Sequence, residues 1–237
     1  MKVEVCLHCY NYQKRLCWML NSILQQRGDL PDILVNISYC ADNGTPKTED
    51  VINFFRNKGL KIKDTIVESN SAHNRSRARE KQLAETDADW IIFADSDMVY
   101  SKEFFSDLKS KLSTEDYCKE TLCMGADRVS LSIPHSVKFF SEDKTVYPCI
   151  IDDVEGIVSK WPVYRTGGKH TAAGYFQLGN VKTIRERKLT YPIKSRDGLR
   201  TYKADRAFRC VMGGRKGIDL KPQYHLNHTR GTDNEQR

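Results

Sequence analysis

No apolar run in this 237-residue chain is long enough to cross a membrane, so a membrane-spanning helix is not expected. No leader segment is visible either. The N-terminus opens directly into the strand-like Val3-Glu4-Val5-Cys6-Leu7, and a cytoplasmic setting is expected. The pair Cys6-x-x-Cys9 lacks a second CxxC, and in an extended strand its thiols face opposite ways. A structural zinc site is therefore not expected. The eight cysteines are instead scattered through strand-like and helix-like segments, the pattern of reduced, mostly buried thiols. Helix-turn-helix, zinc-finger and RNP signatures are missing, so nucleic acid is not the expected partner despite a formal net charge of +7. Internal repeats and low-complexity tracts are missing too.

What is present suffices for one sizeable core, since 39% of the residues are hydrophobic. The positive balance favours anionic ligands or surfaces. Basic residues are densest at Arg75-Ser76-Arg77-Ala78-Arg79, at Arg185 to Lys188 and from Arg206 to Lys216. A basic rim around a phosphate-bearing substrate accounts for that charge, and it also permits peripheral contact with an anionic membrane.

The first half alternates strand and helix. Val3 to Cys9 reads as a strand, and Gln13 to Gln26 as a helix with Leu16, Leu20, Ile23 and Leu24 on one stripe. Ile33 to Cys40 is a second strand. Thr45-Pro46 reads as a cap with proline in the first turn of a helix carrying Val51, Phe54 and Phe55. Lys61 to Val67 is a third strand, Asn74 to Glu85 a basic helix capped by Ser71, and Trp90 to Ala94 a fourth strand. Repeated βα units of this size predict an α/β fold with a mainly parallel sheet flanked by helices.

The second half is less regular. A helix from Glu103 to Leu112 precedes one strand from Leu122 to Leu131. The stretch 132–169 reads as loop-rich, with Pro134, Pro148 and Pro162, and a segment of it is expected to close over a ligand. A strand at Tyr175 to Leu178, a basic linker and a helix from Tyr202 to Met212 follow. The tail ends in His225-Leu226-Asn227-His228.

The segment that carries most chemistry is Asp89-Trp90-Ile91-Ile92-Phe93-Ala94-Asp95-Ser96-Asp97-Met98. A buried apolar strand ends in carboxylates at i and i+2, which an extended chain would point the same way. Paired hard oxygen ligands at the carboxyl end of an α/β strand suit Mg²⁺ or Mn²⁺ carrying a phosphorylated ligand. A second pair, Asp87 and Asp89, precedes the strand and reads as a solvated turn.

Taken together, these motifs resemble the inverting glycosyltransferases of the GT-A fold, the large family 2 type and its galactosyltransferase-like relatives. The resemblance runs from about residue 3 to 230. Tyr10-Asn11 matches the family's turn near the nucleotide base, and Asp42 an acidic position that contacts the base. Asn74 to Arg79 resembles the Asn/Arg helix that reaches the nucleobase and diphosphate, with Arg77 the favoured contact. Asp95-Ser96-Asp97 matches the DxD motif. Gly174-Tyr175-Phe176-Gln177 is similar to the acceptor-side segment. Asp205 sits where the family keeps its catalytic acid, although Ala204 replaces the acid before it and a Trp-Gly-Gly approach is missing. His228-Thr229-Arg230 resembles a C-terminal His-x-Arg whose histidine is a metal ligand, and His225 lies in the same short tail.

The resemblance implies one GT-A domain over 1–237, with a donor half to about residue 100 and an acceptor half after it. It implies a hexosyltransferase using a nucleotide sugar, with a UDP-sugar the expected donor and a glycan, lipid-linked molecule or protein as acceptor. Asp97 and His228 would hold Mn²⁺ or Mg²⁺, with Asp95 at the ribose or a metal-bound water. The metal would offset charge on the departing diphosphate while Asp205 takes the acceptor's proton. Two other classes stay open. One is a nucleotidyltransferase on a similar sheet, although Tyr10-Asn11-Tyr12 stands where its glycine-rich turn belongs. The other is a non-enzymatic basic α/β module binding nucleic acid or another anionic polymer. Trp161 reads equally as a sugar-stacking platform or a core aromatic.

Overall fold

The computed structural model describes residues 1–40, 46–67, 75–114, 123–126, 128–166, 175–191, 208 and 216–226. The first half is the expected alternation: β1 (Lys2–Cys9), α1 (Gln13–Leu24), β2 (Asp32–Tyr39), α2 (Thr48–Asn57), β3 (Ile62–Ile66), α3 (Arg75–Glu85) and β4 (Trp90–Ala94). Strands β3, β2, β1 and β4 lie side by side in parallel, with Val5 of β1 opposite both Val35 and Ile92. Helices cover both faces of this centre, so β1 and β4 are apolar in runs rather than in alternation. Val3, Val5, Ile91, Ile92 and Phe93 are all fully buried, and each such side chain contributes roughly 1.5–3 kcal/mol.

Polar contacts fix how α3 sits on the sheet. Gln82 Nε2 donates to the carbonyls of Leu7 at 3.1 Å and Asn36 at 2.8 Å, while Asn36 Nδ2 donates to the buried Glu4 carboxylate at 2.6 Å. Any of these groups left unpaired would cost about 1–3 kcal/mol, so the helix is held in one register. The helix α2 starts at Thr48, later than expected from Pro46. Lys47 is its N-cap, and the Lys47 backbone N–H donates to Asp50 at 3.1 Å.

The remaining elements are β5 (Met98–Tyr100), α4 (Phe104–Leu112), β6 (Cys123–Gly125), β7 (Arg128–Leu131), α5 (Ile133–Glu142), α6 (Val154–Ser159), β8 (Val163–Thr166), β9 (Phe176–Asn180), α7 (Val181–Glu186), β10 (Lys216–Gly217) and β11 (Gln223–His225). The run expected as one strand over 122–131 is two strands in different sheets. β6 joins the large sheet, in the order β10-β6-β9-β4-β1-β2-β3, with β9 antiparallel to its neighbours. β7 joins a four-stranded sheet ordered β5-β11-β7-β8.

The stretch expected to be loop-rich holds α5, α6 and β8. Pro134 does not break α5 because it lies in the first turn, where a missing N–H costs nothing, behind the capping hydroxyl of Ser132. Residues 143–154 are fastened to α1. Asn21 Nδ2 donates to Cys149 O at 3.0 Å, Asn21 Oδ1 accepts from Ile151 N at 3.0 Å, and Gln25 Oε1 accepts from Val154 N at 3.1 Å. The expected closing segment therefore does not include this passage. The expected basic linker is α7, whose N-terminus is capped by Asn180 accepting from Thr183 N at 3.0 Å.

One apolar core runs through α1, the near face of the large sheet and the small sheet. A second, containing Cys6, Leu83, Phe93, Tyr191 and Phe208, lies under α3. The architecture is the expected α/β one, a central sheet flanked by helices. Among the described residues, no helix is long and apolar enough to cross a membrane.

Candidate active site at the mouth of the central sheet

Strand β4 ends at Ala94, and Asp95, Ser96 and Asp97 make the passage to β5. The alternation of an extended strand therefore does not extend through the motif, and the expectation that both carboxylates point one way gives way to a different geometry. Each carboxylate has its own partner. Asp97 is 3% exposed and its Oδ2 lies 3.1 Å from Nε2 of the buried His225. Strand pairing brings them together: β11 runs antiparallel to β5 with His225 opposite Met98, the residue after Asp97. The chain then closes over the motif, with Leu226 N donating to Asp97 O at 2.9 Å and Arg15 Nε of α1 donating to Leu226 O at 3.2 Å.

Asp95, one-quarter exposed, faces Arg79, whose Nη2 is 3.6 Å from Asp95 Oδ1. Arg79 is 1% exposed and sits in an aromatic cage, 5.4 Å from the Phe93 ring centre and 5.6 Å from that of Tyr191. Its Nη1 donates to Tyr191 Oη at 2.9 Å, with Gln177 Oε1 of β9 at 3.5 Å. Tyr191 stacks on Phe208 at 4.5 Å. A buried cation stays charged only where partners replace water, and this cage supplies them. Burial above all, and the Asp95 charge after it, push the nearby Tyr100 phenol well up from its usual range.

Arg77, favoured from sequence, stands exposed on α3, while Arg79 reaches the motif. Helical residues two positions apart are separated by about 200° around the axis, so these arginines cannot share a face. The signal that could have identified Arg79 is the buried stripe Arg79, Gln82, Leu83 and Thr86 at i, i+3, i+4 and i+7. Arg15 and Tyr191 carry no such signal in the sequence, and Gln177, read there as part of the acceptor-side segment, lies beside Arg79.

Tyr10 is partly exposed at the end of β1. Asn11 is exposed with φ 58°, a left-handed conformation that asparagine tolerates, and Tyr12 caps α1. Tyr175 is buried; its hydroxyl donates to Ala126 O at 3.0 Å and Arg128 lies 4.2 Å above its ring centre. Trp161 packs beside Phe139 at 5.4 Å, partly buried on the core. Asp42, Asn74, Gly174, Asp205 and His228 lie outside the described residues, as do Thr45 and Ser71.

The donor set at Asp97 fits a hard divalent cation. Two ligands on adjacent corners of an octahedron with bonds of about 2.1 Å stand about 3 Å apart, and Asp97 Oδ2 and His225 Nε2 are 3.1 Å apart. Among the described residues there is no cluster of three or more His, Cys, Asp or Glu side chains able to hold a metal. Such a pair leaves corners for phosphate oxygens and water, as Mg²⁺ and Mn²⁺ sites do, and the imidazole favours Mn²⁺.

The family model described as Glycosyl transferase family 2 matches residues 4–119. A poly(ribitol-phosphate) beta-N-acetylglucosaminyltransferase, TarS of Staphylococcus aureus (strain Mu50 / ATCC 700699), is 30% identical over 107 residues, 45% of this chain and 18% of that protein. The crystal structure of S. aureus TarS 1–349 in complex with UDP-GlcNAc superposes with a TM-score of 0.60 at 16% identity, covering 97% of this chain and 59% of that one. Mannosyltransferase PcManGT from Pyrobaculum calidifontis, in complex with GDP-Man and Mn²⁺, gives 0.56 at 14% identity, covering 97% and 58%. The chain thus spans less than a fifth of the curated relative and about three-fifths of these solved chains. Residues 4–119 are thus similar to glycosyltransferase family 2, and the architecture matches the fold of the GT-A glycosyltransferase structures.

Proposed function

We propose that this chain is a metal-dependent, inverting glycosyltransferase that moves a sugar from a UDP-sugar to a hydroxyl of a glycan, lipid-linked or protein acceptor. The observation that carries the reading is the Asp97–His225 pair, buried at the carboxyl end of β4 next to the Arg79–Asp95 pair. The UDP-GlcNAc of the TarS complex supports a UDP donor, and the Mn²⁺ of the mannosyltransferase complex supports the cation. Asp97 and His225 would hold Mn²⁺ or Mg²⁺, which when bound supplies Lewis-acid neutralisation of the diphosphate leaving group. Arg79 holds the Asp95 carboxylate for the ribose side. Tyr10, Asn11, Asp42 and Asn74 are assigned to the nucleotide and Gly174 and Tyr175 to the acceptor side, whereas Arg77, on the face of α3 away from Arg79, keeps no such role.

In the reaction the acceptor oxygen forms a bond to the anomeric carbon as the bond from that carbon to the diphosphate oxygen breaks. The electron pair leaves with the nucleoside diphosphate, and the hydroxyl proton passes to a carboxylate, the role assigned to Asp205. Attack opposite the leaving group inverts the anomeric centre. The buried thiols of Cys6, Cys9, Cys17 and Cys40 suit a reducing, cytoplasmic setting. The test is nucleoside diphosphate release from UDP-GlcNAc, UDP-glucose and GDP-mannose. Turnover of one donor that EDTA stops, Mn²⁺ restores and Asp97→Asn lowers at least about 100-fold is expected. Release from none of them, or release indifferent to EDTA and to the substitution, would overturn the reading.

A further inference from the structure

We infer that Arg15 of α1 is a positioning residue for the cation: it grips the chain just beyond β11 and so holds the His225 imidazole in register with Asp97. This rests on the metal-dependent transferase reading and adds to it a residue that acts through the histidine. Strand β11 ends at His225, which stands opposite Met98 of β5. The metal-side imidazole is thus carried by the last residue of a three-residue strand, where pairing frays most easily. The next residue, Leu226, is fully buried and is held from both sides. Its N–H donates to Asp97 O at 2.9 Å, and its carbonyl, beyond the end of the strand, accepts from Arg15 Nε at 3.2 Å. A buried carbonyl without a donor is costly, so the arginine fixes where the chain leaves the sheet.

The arginine is itself fixed. It is 4% exposed, and its guanidinium carbon lies 4.5 Å from the Phe140 ring centre on α5 and 5.7 Å from the ring centre of Tyr12, the N-cap of α1. A flat guanidinium resting on a ring keeps its N–H edge in one direction, which a rotating ammonium does not. Tyr12 directly follows the Tyr10-Asn11 turn assigned to the nucleotide. One side chain therefore spans from that turn to the strand that carries the metal-side histidine.

Arg15 has two effects on a bound cation, and they have opposite signs. Its charge repels the cation. Its grip on Leu226 keeps His225 Nε2 at 3.1 Å from Asp97 Oδ2, the separation that adjacent corners of an octahedron need. Coordination tolerates displacements of only about 0.2 Å, whereas the repulsion is weakened by the surrounding protein and solvent. Positioning is the larger effect, so removing Arg15 weakens the site.

The experiment measures Mn²⁺ binding from the EPR signal of the free ion, alone and with UDP. The proteins are wild type, Arg15→Gln, Arg15→Lys, His225→Ala and the variant combining Arg15→Gln with His225→Ala. Arg15→Gln should weaken Mn²⁺ binding by about 10- to 100-fold, as loss of a partner that orients a metal ligand does. It should also reduce the nitrogen hyperfine coupling that an imidazole ligand gives to bound Mn²⁺. Arg15→Lys, which keeps a donor for Leu226 O, should recover part of both. In the His225→Ala background Arg15→Gln should change little, because the arginine acts through the histidine. Unchanged or tighter binding in Arg15→Gln, or losses that add in the combined variant, would overturn the assignment while leaving the metal reading standing. If Arg15→Gln does not fold, Phe140→Leu removes the stacking face with Arg15 in place. A loss of about 2- to 5-fold is then expected, and no loss would count against the assignment. A wild-type protein that binds no Mn²⁺ in either condition removes the metal reading and the role of Arg15 with it.

Discussion

Arg79 shows how a single buried side chain can organise a site. Fully enclosed, it is held by two aromatic faces, the Tyr191 hydroxyl and the Gln177 carbonyl, and it meets Asp95 at 3.6 Å. Lysine carries the same charge but lacks the planar fork, so it cannot reach Tyr191 and Asp95 together. Arg79→Lys should therefore lower donor turnover by about 10- to 100-fold, more through kcat than through nucleotide affinity. Steady-state kinetics on the hydrolysed donor checks this, and unchanged kcat would show that Arg79 is structural packing alone. Sequence could find the arginine cluster but not which member turns inward. The run Arg75-Ser76-Arg77-Ala78-Arg79 has Ala78 as its one apolar residue, and the orientation is set by Gln82 and Leu83 further along α3 and by Thr86 just beyond it.

Among the elements, the strands and helices of the first half were legible because each is strongly patterned and pairs with a near neighbour in sequence. The second half was not, for two physical reasons. Proline is read as a breaker, yet Pro134 occupies a first helical turn, so the sequence of α5 reads as loop. The apolar run before Leu131 looks like one strand, yet the chain changes sheets between Gly125 and Arg128. Stability in this region depends on Asn21 of α1 and its C-cap Gln25, whose carboxamides bond the backbone of 149–154 as a neighbouring strand would. Asn21→Ala leaves the Ile151 N–H and the Cys149 carbonyl unpaired and should destabilise the fold by about 1–3 kcal/mol, read by urea unfolding. A change under about 0.5 kcal/mol would mean that water or another group replaces the amide there.

At the scale of the whole molecule, the site exists because two sheets meet at one turn. The large sheet delivers Asp95 and Asp97 from β4. The small sheet returns the C-terminal strand so that His225, 128 residues later, lies against Asp97. A closure of that span leaves no local trace in sequence. The tail could thus be recognised as a source of a metal ligand, with His228 favoured over His225; the described structure places His225 at the carboxylate, and His228 lies outside the described residues. The central claim is that Asp97 and His225 hold a cation that carries a nucleotide diphosphate. Its most direct test is a thermal-shift panel of UDP, GDP, CMP and ADP, each with and without Mn²⁺, on wild type, Asp97→Ala and His225→Ala. UDP with Mn²⁺ at about 100 times its Kd should raise the melting temperature by roughly 5–10 °C in wild type, with little effect from either component alone and none in the two variants. A UDP shift that needs no metal, or one that survives in both variants, would contradict the account.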